Sequence, residues 1–321
     1  MAKKRERQRL PEAGKVCVVG SVNIDLLLSL QRLPHSGETV LAEGMVTQPG
    51  GKGANQAAAA ARLGATVSLV GRVGEDAFGL QVMEDLRSFG VDTTFVRVDK
   101  TMPTGLAVVM VDAMGRNAIA VAPGANAALS PEDVDSAKAA IAGAGVLLVQ
   151  LEIPLATVER AVALAGRFGV PVVLNPAPAR ALPEGMLSKV ALVVPNEVEA
   201  LALTGVRVTG PLRAREAAGL LLQQGASAAV LTLGDRGYVA RTPAAAWGSP
   251  AHRVRVADTT GCGDTFLGAL AAFLSGGAPV AEAAELANGA AALAATSLGA
   301  RAALPDREAL MALLSVRDSP S

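Results

Sequence analysis

The sequence predicts an α/β protein, a three-layer α/β/α sandwich around a mainly parallel sheet with a small β-sheet lid. Three observations carry this. Short apolar runs alternate with Ala-rich helical patterns along nearly the whole chain, as repeated β-α units do. The runs are continuous in Val and Leu rather than alternating, so both faces of those strands are covered. Hydrophobic residues make up 51% of the 321 but aromatics only 2%, so the core is built from Ala, Val and Leu, with 34 glycines available for tight turns.

In chain order, the run Lys15–Gly20 reads as the first strand. Residues 26–48 then show short alternating strands, the first part of the lid. A glycine turn leads into an Ala-rich helix over Gly53–Leu63, followed by a strand over Thr66–Gly71 and a helix over Ala77–Ser88. Residues 104–122 return to the alternating pattern, with Met114-Gly115-Arg116-Asn117 as turn chemistry, and complete the lid. The β-α rhythm resumes with a helix over Pro131–Ala142, a strand over Val146–Leu151, a helix over Pro154–Phe168 and a strand over Val170–Asn175. A strand over Ala191–Pro195 and helices over Glu197–Leu203 and Pro211–Gln224 follow. Strands over Ala228–Leu233 and Gly237–Arg241 and a run ending at Val256 precede helices over Gly261–Leu274 and Val280–Ser297. A domain over 15–316 is expected, preceded by a disordered tail over 1–14. Within residues 1–15, Lys3, Lys4, Arg5, Arg7, Arg9 and Lys15 stand against Glu6 and Glu12, a net charge of +4.

Basic and acidic residues balance at 29 each, which removes the bias expected of a nucleic-acid binder. The apolar stretch from Val16 is broken by Asn23 and Asp25 before a signal-peptide core can form. The uncharged stretch from Thr265 is interrupted by Gly276, Gly277 and Pro279, so no membrane span is expected. Cys17 and Cys262 have no metal-site or disulfide spacing, and a cytoplasmic location is the expectation.

The most informative stretch is Asp258-Thr-Thr-Gly-Cys-Gly-Asp-Thr-Phe266. Gly261 and Gly263 allow a tight turn, and the first turn of the following helix presents unpaired N–H groups at its positive end, a ready anion site. Asp264 stands at that helix start. It reads either as an N-cap or as a base that takes a proton from a hydroxyl attacking a phosphoryl group, and the stretch alone leaves both open. A second glycine turn, Pro49-Gly-Gly-Lys-Gly-Ala-Asn-Gln56, also enters an Ala-rich helix. Neither turn is a Walker A loop or a complete G-x-G-x-x-G, which argues against a P-loop NTPase, a dinucleotide dehydrogenase and a protein kinase, though not against ATP. Polar residues at strand ends, namely Asn23, Asp25, Glu152, Asn196, Glu199, Thr232, Gly234, Arg236 and Gly237, are placed to converge in a cleft at the carboxyl edge of an open sheet. Each also has a turn or capping reading. His35 and His252 read as solvated loop residues.

Together the two glycine turns resemble the paired signatures of the ribokinase-like (PfkB-type) carbohydrate kinases. So do Gly20-Ser-Val-Asn-Ile-Asp25, Pro123-Gly-Ala-Asn-Ala-Ala-Leu-Ser130, Gln150-Leu-Glu152, Asn175-Pro-Ala-Pro-Ala179, Pro195-Asn-Glu-Val-Glu199 and Thr232-Leu-Gly234. The resemblance runs from Val16 to Pro305 and implies ATP-dependent phosphorylation of D-ribose at O5. Other sugars of the group (fructose, deoxyribose, a nucleoside) are the nearest alternative, and a non-catalytic sugar sensor is a more distant one. The resemblance assigns Asp264 as general base and the backbone of Gly261, Cys262, Gly263 and Asp264 as anion hole. Asn23, Asp25, Gly51, Lys52, Gly53, Asn55 and Glu152 would bind the sugar. Thr232, Leu233, Gly234, Asp235, Arg236 and Gly237, with Asn196, Gly263 and Asn288, would bind ATP, and Glu199 would reach Mg²⁺ through water. A K⁺ loop maps to Asp258, Thr260, Ala294, Ser297, Gly299 and Ala303. Ala303 stands where a serine is expected, and Cys262 stands where alanine is usual, leaving a thiol open to reagents. A homodimer through the lid is implied as well.

Overall fold

The computed structural model describes residues 10–316. The chain enters the sheet through β1 (Lys15–Val19), leaves it for β2 (Asn23–Leu30) and β3 (Gly44–Gly50), and returns by α1 (Lys52–Arg62) to β4 (Thr66–Gly74). α2 (Ala77–Ser88) and β5 (Val96–Asp99) come next, then β6 (Gly105–Asp112) and β7 (Asn117–Ala122). The second half of the sheet is laid down by α3 (Pro131–Ser136), α4 (Lys138–Ala142), β8 (Val146–Val149), α5 (Leu155–Arg167), β9 (Val172–Leu174), β10 (Leu192–Val193), α6 (Glu197–Thr204), α7 (Pro211–Gln223) and β11 (Ala229–Thr232). β12 (Tyr238–Arg241), β13 (Ala246–Ser249), α8 (Cys262–Ser275), α9 (Val280–Ala294) and α10 (Arg307–Val316) complete it.

Nine strands form one sheet in the order β13-β12-β11-β10-β9-β8-β1-β4-β5, parallel from β11 to β5, with β12 and β13 as an antiparallel edge. Alternation along β1 divides the core. Val16 and Val18 pack with residues of α1, α2, α8, α9 and α10, while Cys17 and Val19 pack with those of α3 through α7. The lid is a separate four-stranded sheet in the order β3-β2-β6-β7, with β2 antiparallel to β3 and parallel to β6.

The Ala- and Gly-rich composition has a positional consequence. A Cβ on Gly268 of α8 would lie 2.6 Å from the Ala59 Cβ of α1, and one on Gly53 would lie 2.6 Å from the Gly20 carbonyl carbon. Only small residues let these backbones approach so closely, and the approach sets the first turns of α1 and α8 side by side at the carboxyl edge of β1.

The structure differs from the sequence expectation at several places. The tail expected over 1–14 falls outside the described residues for 1–9, but residues 10–14 are held on the body. Arg307 donates to the carbonyls of Leu10 and Pro11, and the Gly14 N–H donates to Ser275 Oγ at 3.0 Å. The lid begins three residues early: Asn23 and Asp25 lie inside β2, paired with Gly50 and Gln48 of β3 and with Gly105 and Ala107 of β6, rather than in a turn after β1. The helix expected over 131–142 is two, interrupted where the Ala137 N–H bonds tightly back to Val134. The run ending at Val256 is no strand, because the N–H groups of Ala257 and Asp258 turn to the Ala295 carbonyl instead. His252 is buried, not solvated, with Nε2 3.7 Å from Glu285 Oε1.

Candidate active site

Gly261 precedes α8 with φ 76°, so Asp264 is the third helical residue and not the cap. Its carboxylate is held by side chains of α1: Gln56 Nε2 donates to Oδ1 at 2.9 Å and Asn55 Nδ2 donates to Oδ2 at 3.0 Å. Gln150 Nε2 donates to Gln56 Oε1 at 2.7 Å, which fixes the orientation of the Gln56 amide. The capping reading of Asp264 therefore falls. The N–H groups of Gly263 and Asp264 receive no acceptor among the described residues, while that of Cys262 is turned back to Thr259 O at 3.3 Å. The Gly261 N–H likewise meets no acceptor among the described residues, so three of the four amides expected to form an anion hole are free to bind one.

On the lid side, Asn23 is buried at the root of β2, its Oδ1 accepting from Asn126 Nδ2 at 2.7 Å. Asn126 also ties to the Val22 backbone through both ends of its amide. Asp25 lies two residues on, its carboxylate packed against Gly50, where an added Cβ would come within 2.2 Å of it and force it to shift. Gly51, with φ 87°, turns the chain from β3 into α1. Glu152, after β8, accepts from Ser21 Oγ at 2.5 Å and from the Lys52 N–H at 3.2 Å through the same oxygen. Burial, the Glu152 carboxylate and then Asp264 push the Asp25 carboxyl up to about 6, against the opposing pull of Arg301 and Lys52. Burial would lower the Lys52 ammonium, but Asp264, Glu152, Glu199 and Asp25 outweigh it and leave its pKa raised. These residues form one mixed-charge cluster.

Two adjoining cavities meet at α8. The smaller, about 150 Å³, is polar and lined by Lys52, Asn175, Glu199, Gly261, Gly263 and Asp264. The larger cleft, about 660 Å³, runs along Asn196, Thr232, Gly234, Asp235, Gly237, Cys262, Gly263 and Asn288. Asn196, Thr232 and Gly263 line both. Leu233 and Arg236 do not face the cleft: Leu233 is packed in the core, and Arg236 turns to Glu197 and to the Thr209 carbonyl. Asn196 and Glu199 form a capping box on α6, with the Asn196 N–H donating to Glu199 Oε2 at 2.8 Å and its Nδ2 donating to Oε1 at 2.9 Å. Burial raises the Glu199 carboxyl despite those bonds.

Of the predicted cation loop, Asp258 joins the two segments. Its Oδ1 accepts from the Thr260 N–H and hydroxyl, and its Oδ2 accepts from the Gly299 N–H at 2.9 Å. Ala294 lies at the end of α9, Ser297 is exposed, and Ala303 is buried and offers only its backbone oxygen. Among the described residues no group of three or more His, Cys, Asp or Glu is arranged so that it could hold a metal ion.

Sequence reasoning assigns no role to Ser21, Gln56, Asn126, Gln150, Asn175 or Arg301, all of which hold the site together. Five of these stand in or beside the quoted motif stretches, which was the available signal. Arg301 carried none. Burial, then the nearby Asp258 charge, push the Cys262 thiol up to about 11, which keeps it protonated at neutral pH, in keeping with a small helix-start residue and against the expected sensitivity to reagents. An alkylating reagent at pH 7.5 is expected to inactivate the protein no faster than it inactivates Cys262→Ala, as a time course of residual activity would check.

Unpaired helix N-terminal amides between a polar cavity and a long cleft on an α/β sandwich suit phosphoryl transfer to a small hydroxylated molecule. The profile for the pfkB family of carbohydrate kinases matches residues 13–307, and the chain belongs to that family. A ribokinase of Staphylococcus aureus (strain COL) is 38% identical over 293 residues, covering 91% of this chain and 96% of its own. A deoxyribokinase of Salmonella typhi is 36% identical, covering 94% and 99%. The structure of Arabidopsis thaliana ribokinase complexed with ribose and ATP superimposes with a TM-score of 0.88 at 34% identity, covering 95% of this chain and 99% of that one.

Proposed function

We propose that this protein transfers the γ-phosphoryl group of ATP to O5 of D-ribose, giving ribose 5-phosphate and ADP. The observation that carries the reading is Asp264. Its carboxylate lines the polar cavity, one residue from Gly263 in the wall of the long cleft and beside unpaired amides. Ribose lies against Asn23, Asp25, Gly51, Lys52, Gly53, Asn55 and Glu152, where carboxylates and amides satisfy its hydroxyls. Asp264 takes the proton as the O5 hydroxyl attacks in line, and the Gly263 and Asp264 amides stabilise charge on the transferring group.

ATP occupies the 660 Å³ cleft, its phosphates toward Gly263. Asn196 and Glu199 would hold Mg²⁺ through water, which suits a carboxylate already engaged in a cap, and the ion would offset charge on the phosphates. Asp258 and Thr260, with the backbone oxygens of Ala294, Ser297, Gly299 and Ala303, suit K⁺, and Ala303 contributes no hydroxyl. The lid leaves Met45, Val46, Ile119 and Val121 more than half exposed, which supports a homodimer through it. Both cysteines are free and no described helix is long and apolar enough to cross a membrane, consistent with work in the cytoplasm.

The deoxyribokinase relative favours 2-deoxyribose as the second reading, since its identity is close to that of the ribokinase. A coupled assay for ADP across ribose, 2-deoxyribose, fructose and nucleosides, with and without K⁺, decides between them. The highest kcat/KM is expected on ribose with K⁺ present. A higher value on 2-deoxyribose would replace the reading.

A further inference from the structure

Arg301 lies in the loop after α9, buried, with its guanidinium directed inward between three elements. Nε donates to Asn55 Oδ1 of α1 at 3.0 Å, one Nη donates to the carbonyl of Gly50 at the end of β3 at 3.1 Å, and the other pairs with Asp85 of α2. Guanidinium has five donors and no acceptor, so the Asn55 atom facing it must be oxygen, and the Asn55 Nδ2 is thereby turned to Asp264. The Asp264 carboxylate, which only accepts, favours the same orientation from the other side, and the guanidinium holds the amide in place against it; without that hold Asn55 is free to turn away from Asp264.

We infer that Arg301 is a positioning residue for phosphoryl transfer: through Asn55 it orients the Asp264 carboxylate, and through Gly50 it pins the root of the lid beside it. The chain of contacts is guanidinium to Asn55 Oδ1, then Asn55 Nδ2 to Asp264 Oδ2, with Gln56 holding the other oxygen. Arg301 touches neither the reacting atoms nor the long cleft. The guanidinium fork matters here because its acceptors lie on three different elements, and an ammonium, with its donors at one point, cannot serve all three.

The inference rests on the sugar-kinase reading and is tested by ratios within it. Arg301→Met keeps the length and apolar stem but removes every donor. Its kcat on the best sugar is expected to fall about ten-fold, the scale of one lost hydrogen bond in a charged network, with the KM for ATP within two-fold of wild type. In an Asn55→Ala background the same substitution is expected to change kcat less than two-fold, because the relay is already cut. A purely structural role would lower kcat equally in both backgrounds, and that result overturns the inference, as does a wild-type kcat in R301M. Should R301M fail to fold by circular dichroism, Arg301→Lys keeps the buried charge, and its kcat is expected to fall about three-fold; full wild-type kcat in R301K then overturns the inference. Wild-type protein inert on every sugar refutes the activity itself and the positioning role with it, whereas an active wild type with an unaffected variant refutes the positioning role alone.

Discussion

Asp264→Asn should lower kcat about 100- to 10,000-fold while sugar affinity changes less than ten-fold. The proton of the attacking hydroxyl then has no carboxylate to receive it. The surroundings sharpen the expectation. Both Asp264 oxygens accept from amide donors, and neither donor is free to reverse, since Gln56 Oε1 is occupied by Gln150 and Asn55 Oδ1 by Arg301. An asparagine at 264 therefore presents its NH₂ to a donor at one of the two positions and must turn away. The sugar-facing groups on β2 and after β8 are held by Asn126 and Ser21 and do not depend on that carboxylate. Calorimetric titration with ribose alongside a coupled turnover assay separates the two effects, and a kcat within ten-fold of wild type would remove Asp264 from the role of base.

The sheet was legible where physics is local. Runs such as Val16–Val19 and Val146–Val149 are buried on both faces, and their continuous apolar character says so without reference to the rest of the chain. The glycine turns at 50–53 and 261–263 were legible for the same reason, because Gly51 and Gly261 hold positive φ. β5 and β13 were not, being four-residue pieces near the sheet edges with mixed burial. α6 was found, yet its Asn196 and Glu199 are also its capping box, so a local stabilising role and a site role coincide there. What no local pattern displays is the polar web behind the site. Gln150 reaches Gln56 across 94 residues, Asn126 reaches Val22 across 104, and Arg301 reaches Asn55 across 246. Each is an ordinary polar residue type whose partner is set only by the packing of distant segments against one another. The turn reading of Asn23 and Asp25 fails for a similar reason. Pairing on both sides, to β3 and to β6, extends β2 toward the sheet, so the lid's own root carries the side chains proposed to bind the sugar.

That placement leads to the second large effect, which concerns Asp25. Its carboxyl is pushed up to about 6 in the fold from an ordinary 3.8, first by burial and then by Glu152, so its surroundings disfavour the ionised form. A carboxyl whose folded pKa is raised binds its proton more tightly in the fold than in the unfolded chain. Its contribution to stability is present below about 4, declines as pH rises through the folded value, and is absent above about 6 to 7. At pH 8 the ionised Asp25 therefore costs the ligand-free fold on the order of 2–3 kcal/mol relative to a neutral group. Asp25→Asn is expected to melt about 5 °C higher at pH 8, and the gap should narrow as pH falls toward 5. Sugar binding runs the opposite way, because a carboxylate accepts a hydroxyl more strongly than an amide does. The variant should bind ribose about 10- to 100-fold more weakly at pH 8, and wild-type affinity should decline below pH 6 while the variant's stays flat. Melting curves and ribose titrations of both proteins between pH 5 and pH 8 measure each arm. Equal stability at pH 8, or a wild-type affinity that does not fall with acid, would show that Asp25 is not held ionised against its surroundings for the sake of the sugar.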